Sequence, residues 1–62
     1  TLYVRASEAF RNARNRIELM GEGQRFSKEI EPLKDSQDQG ERTAYIWLKN
    51  CFAYYYRLKP ER

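Results

Sequence analysis

Glu41–Lys59, ERTAYIWLKNCFAYYYRLK, is the stretch whose reading decides the fold. Within it Ala44, Leu48, Cys51, Tyr55 and Leu58 recur at intervals of four, three, four and three, which places them on one stripe of a helix. The spacing predicts a helix over about residues 40–59. Asp38, with Glu41 three residues on, has the form of a capping box, and Pro60 closes the far end because its ring cannot continue the hydrogen-bond ladder. Advancing 100° per residue, Tyr45, Trp47, Leu48, Cys51, Phe52, Tyr54, Tyr55 and Leu58 occupy more than half of the circumference. A core-facing stripe is usually little more than about 100° wide, so one antiparallel neighbour leaves part of this surface uncovered. A middle segment, a second copy of the chain or a different protein is expected to cover the rest.

Working outward, Tyr3, Ala6, Phe10, Ala13, Ile17 and Met20 follow the same alternation and predict a first helix over about residues 3–20. Thr1 or Ser7 is available to cap its start. Gly21 and Gly23 come next, and glycine tolerates the left-handed conformation in which many helices end. Residues 21–39 then read as an acidic connector in which Phe26, Ile30 and Leu33 form a short helical turn interrupted by Pro32. The expected fold is a single all-α domain over residues 1–62. It is a helical hairpin of two main antiparallel helices, completed as a bundle by self-association or a partner. Its expected core is Tyr3, Ala6, Phe10, Ala13, Ile17, Met20, Phe26, Ile30, Leu33, Ala44, Leu48, Cys51, Phe52, Tyr55 and Leu58.

The candidate partner-binding residues lie on the second helix: Tyr45, Ile46, Trp47, Tyr54 and Tyr56. Tyr54, Tyr55 and Tyr56 are consecutive, point about 100° apart and cannot all enter one core. A tyrosine at the edge is accounted for by a ring in the core and a hydroxyl in water, but aromatic rings are also the anchors of many interfaces. Ile46 falls on the opposite face with Ala53, among Arg42, Lys49, Asn50 and Arg57. It is either a scattered exposed hydrophobe or a docking spot with a basic rim.

Charge is divided unevenly. Residues 1–20 carry a net +2, residues 21–41 a net −3 and residues 42–62 a net +4, within a chain of formal charge +3 and pI near 9.2. Basic helices joined by an acidic connector make DNA or RNA binding the alternative function, through Arg11, Arg14, Lys49, Arg57 and Lys59. The arginines and asparagines of residues 11–16 fall on both sides of the apolar stripe, however, and Arg14 with Glu18 explains part of the pattern as an ordinary helical ion pair.

Catalysis is not expected. The chain has no histidine, the commonest general base and metal ligand, and its single cysteine has no such activator. Cys51 reads as a small buried hydrophobe. The carboxylates Glu29, Glu31, Asp35, Asp38 and Glu41 sit in a hydrophilic connector without an EF-hand spacing, so no metal, cofactor or small-molecule substrate is implied. One cysteine allows no internal disulfide, which suits an intracellular, cytoplasmic setting, or a nucleoid or nuclear one if nucleic acid is the partner. No apolar run approaches the roughly 18 residues of a membrane span. The expected function is a protein-interaction or regulatory module that binds another protein or a second copy of itself.

Overall fold

The computed structural model describes all 62 residues and contains three α-helices and no strand: α1 (Leu2–Asn12), α2 (Arg16–Ile30) and α3 (Gln39–Leu58). A 3₁₀ turn over Glu31–Asp35 holds Pro32 near its start, where a missing N–H is harmless, and leads from α2 into α3. The last helix lies where its periodicity places it. Asp38 is its N-cap, with a carboxylate oxygen accepting from the Gly40 N–H at 2.9 Å. The reciprocal half of the capping box is absent, because the Glu41 carboxylate accepts from the Ser36 hydroxyl while the Asp38 N–H donates to Ser36 Oγ at 3.1 Å.

The first predicted helix is two helices, and the expected hairpin is corrected accordingly. Thr1 caps α1, its hydroxyl accepting from the Val4 N–H, and the helix stops where Ala13 turns extended at φ −62° and ψ 134°. Asn15 then starts α2 by accepting from the Glu18 N–H at 2.8 Å. Gly21 and Gly23 lie inside α2 and end nothing, and no glycine has a positive φ. Arg5 pairs with Glu29 and Phe10 meets Phe26, so α2 runs back along α1. Lys49 pairs with Glu31 and Gly23 faces Phe52, so α3 runs back along α2. The C-terminal helix is thus antiparallel to α2 and parallel to α1, with Tyr3 against Trp47 at one end and Lys59 on the Arg11 carbonyl at the other.

Breaking the helix at Ala13 resets which residues face inward. Ala6, Phe10 and Ala13 remain buried, and the stripe continues through Leu19, Phe26 and Ile30 to meet Leu48 of α3. Ile17 and Met20, which a continuous helix would bury, are turned out, Ile17 to 66% exposure. Around the fully buried residues, Ala44, Cys51, Phe52 and Tyr55 are half-buried, Leu33 is half-buried on the 3₁₀ turn, and Tyr3 lies at the rim. Leu58, expected in the core, is 62% exposed. Edge-to-face contacts of Phe10 with Phe26 and with Phe52, at 6.1 and 5.4 Å between centroids, tie the three helices together at one point. At the far end the chain after α3 folds over the start of α2. The Pro60 carbonyl accepts from the Arg16 N–H at 2.8 Å and the Tyr56 carbonyl from Arg16 Nε at 2.8 Å, which satisfies groups that two helix ends leave open.

Candidate protein-docking surface

Each flank of α3 has a different fate. On the flank toward α2, Phe52 stacks on Tyr56 at 6.1 Å, Arg16 lies 4.7 Å above the Tyr56 ring, and Tyr45 is half-buried with the Lys49 ammonium over its face. These rings are already partnered. Of the five expected partner-binding residues, Tyr45 is packed against the core and Tyr56, 37% exposed, is engaged by Arg16 of α2. The structure sets Ile46 apart on the outward face at 55% exposure.

On the flank toward α1, Trp47, Tyr54 and Leu58 are 58%, 60% and 62% exposed. They succeed one another at seven and four residues, so the three form one continuous strip. Tyr3 of α1 extends it, its ring edge-on to Trp47 at 6.2 Å, and Tyr54 meets Tyr55 at 5.3 Å. A shallow depression lined by Tyr3, Trp47, Asn50, Cys51, Tyr54 and Tyr55 runs between α1 and α3 here. Leu58 was missed as a surface residue because the core stripe and this strip are adjacent. The signal was nonetheless in the sequence: Trp47, Cys51, Tyr54 and Leu58 are spaced four, three and four, a second seam offset from the core one.

The basic residues do not converge to the same degree. Arg11 and Lys59 are neighbours, the Lys59 ammonium donating to the Arg11 carbonyl and lying 5.2 Å from the Tyr55 ring. Arg14 is held by Glu18 at 3.0 Å, across the break between α1 and α2. Lys49 is paired with Glu31 at 2.9 Å on the other flank of α3, which holds its pKa above the ordinary lysine value. Arg57 forms no ion pair.

Chemically reactive groups are few. Burial pushes the Cys51 thiol up from its ordinary pKa, the reverse of what a nucleophile requires. The Glu18 carboxyl is held below its usual range, first by the Arg14 backbone N–H and then, against some desolvation, by the Arg14 side chain. It locks the junction between α1 and α2. No group of three or more acidic or sulfur ligands is placed to hold a metal ion, and no helix is long and apolar enough to cross a membrane. Comparison with protein-family models, with curated proteins and with solved structures finds no match, so function is read from this geometry.

Proposed function

We propose that this chain is a small helical protein-interaction module that acts by binding and not by catalysis, with the strip Trp47, Tyr54 and Leu58, bordered by Tyr3, as its docking surface. The observation that carries the reading is three large apolar side chains, each more than half exposed, on one flank of one helix. Exposed hydrophobes scattered singly are ordinary, whereas a contiguous strip of this kind marks an interface. Aromatic side chains also supply most of the strong anchors in known interfaces. Nucleic acid is the weaker reading because two of the five basic residues it relies on, Arg14 and Lys49, are already paired within the chain.

The test is site-specific photocrosslinking in cells, with a photoreactive amino acid in place of Tyr54 and, as a control, in place of Lys28, an exposed residue of α2. Discrete protein adducts from position 54 that are absent from position 28 are the expected outcome. Equal labelling from both positions, or none from 54, refutes the assignment of this face.

A further inference from the structure

Beyond the strip, we infer that the end of the molecule at which α1 and α3 finish and α2 begins grips the phosphate backbone of nucleic acid without reading its sequence. On one unbroken helix the arginines of residues 11–16 would diverge around the circumference. The break at Ala13 gathers them at a corner instead, and the C-terminal segment lies against that corner. The Arg16 N–H donates to the Pro60 carbonyl at 2.8 Å, Arg16 Nε to the Tyr56 carbonyl at 2.8 Å and the Lys59 ammonium to the Arg11 carbonyl. Residues 11–18 and 57–62, far apart in sequence, thus share one pole of a molecule that measures 38 × 17 × 17 Å.

Side-chain charge is segregated along that axis. Residues 11–18 carry three arginines and one glutamate, and residues 57–62 carry two arginines, one lysine and one glutamate, so the pole holds a net +4. The whole chain is +3, which leaves −1 for everything else, and residues 28–42 at the opposite pole, with three basic and five acidic groups, hold −2. Arg11, Arg57, Lys59 and Arg62 have no acidic partner within the chain. Lys49, paired with Glu31, is not part of this surface.

Four unneutralised cations on one end of a rigid bundle suit a polyanion of regular charge. A duplex strand places a phosphate at about every 3.4 Å of its axis, so about five fall across the 17 Å width of the pole. Five of the six cations there are arginines, whose fork-shaped guanidinium matches phosphate oxygens. Asn15 caps α2 with its side-chain oxygen, which leaves its amide NH2 free to donate beside them. All three helices meet the pole end-on. No helix therefore presents a side there to enter a groove, and contacts fall on backbone phosphates, not on base edges. Nor does an apolar helix face lie parallel to the pole, as attachment to a membrane surface requires.

Fluorescence anisotropy of a labelled mixed-sequence duplex of about 20 base pairs, titrated with the chain from about 20 to about 200 mM salt, tests this. Wild type is expected to bind at the low end and to lose roughly 1,000-fold in affinity across the range, the log–log slope of about −3 to −4 that four released counterions give. A duplex of scrambled sequence is expected to bind equally. Arg11→Gln with Arg57→Gln and Arg62→Gln removes three exposed side chains that hold nothing in the fold, and is expected to bring the slope to about −1. Lys28→Gln with Lys34→Gln, at the opposite pole, is expected to leave the slope unchanged, and circular dichroism checks that both variants remain helical. Absence of binding at the lowest salt, or equal slopes for the two variants, overturns the inference. So does competition by polyglutamate or by phosphatidylserine vesicles as strong as that by unlabelled duplex at equal charge, which identifies an acidic protein or a membrane surface as the partner. None of the three arginines belongs to the strip, so crosslinking from position 54 succeeds or fails independently.

Discussion

Replacing Gly21 and Gly23 by alanine, one at a time, sends stability in opposite directions, although the two glycines are two residues apart in one helix. At Gly21 an added methyl group meets nothing within 4 Å. The backbone there is helical, with no positive φ, so alanine is free to contribute its full helix propensity, about 0.8–1 kcal/mol over glycine. At Gly23 the same methyl lands 2.6 Å from Phe52 Cε2, 3.2 Å from Cδ2 and 3.3 Å from Cζ. Carbon atoms pack comfortably at about 3.5–4.0 Å, so the ring has to retreat by roughly 1 Å. Its retreat is constrained by Phe10, edge-on at 5.4 Å, and by Tyr56, stacked at 6.1 Å. Overpacking of this kind costs about 1–3 kcal/mol, which the propensity gain offsets only in part. The expected result is a gain of nearly 1 kcal/mol for Gly21→Ala and a loss of about 1 kcal/mol for Gly23→Ala. In a domain of this size that is a rise and a fall in Tm of about 6–8 °C each. Thermal unfolding followed by circular dichroism at 222 nm measures both. A drop in Tm for Gly21→Ala would mean that the residue adopts a left-handed helix-ending conformation and that α2 starts beyond it. A rise for Gly23→Ala equal to that for Gly21→Ala would mean that α2 and α3 do not approach closely there.

The junction between α1 and α2 and the Cys51 thiol give further expected outcomes. Asn15→Ala removes the cap of α2 and is expected to lower stability by about 1 kcal/mol in denaturant titration. At the same junction, Glu18→Gln is expected to flatten the acid limb of the stability profile: its folded-state pKa is depressed, so its contribution is complete above the usual carboxylate range and is lost as pH falls through the folded value. For Cys51, burial raises the folded-state pKa, so folding favours the protonated thiol. Stability is insensitive to this group below the unfolded thiol's range and declines as pH rises through that range toward the folded value. Iodoacetamide alkylation of the native chain is expected to be slower than of the urea-unfolded chain at pH 8, and equal rates would place the thiol in open solvent.

The all-helical class, the span of α3, its capping residue Asp38 and its stop before Pro60 are all legible from residue spacing. The break at Ala13 is not legible from hydrophobic periodicity. Tyr3 to Met20 keep a helical repeat straight through it, and Ala13 is an ordinary helix former. What overrides the pattern is local polar chemistry. Asn15-Arg16-Ile17-Glu18 is a helix-start signature in its own right, with an N-cap asparagine and a glutamate three residues on. The Glu18 carboxylate then takes the Arg14 N–H, so the two residues read as an intrahelical pair span the junction instead. Helix α2 is hidden for a different reason. Its inward stripe runs through Leu19, Gly23, Phe26 and Ile30, and a glycine chosen for close approach to Phe52 looks in the sequence like a stop. The aromatic excess of α3 was legible, but its division into a packed flank and an open one depended on where α1 and α2 lie.

That division has a geometric cause. Taking 100° per residue, the apolar sector of α3 extends over about 200°, from Tyr54 and Trp47 through Cys51, Tyr55 and Leu48 to Phe52 and Tyr56. Two neighbouring helices cover only part of it. The 3₁₀ turn and α2 close the flank at Phe52, Tyr45 and Tyr56, and α1 covers the middle through Ala6 and Phe10. Small residues at Ala6, Ala9 and Ala13 let α1 sit deep between its neighbours. A helix seated there cannot also reach around α3, and only Tyr3, at its first turn, extends as far as Trp47. Roughly 60° of apolar surface is left over, and it is the strip Trp47, Tyr54, Leu58. None of the three helices covers it. The fold completed by α1 and α2 thus leaves this strip open as a consequence of its own packing.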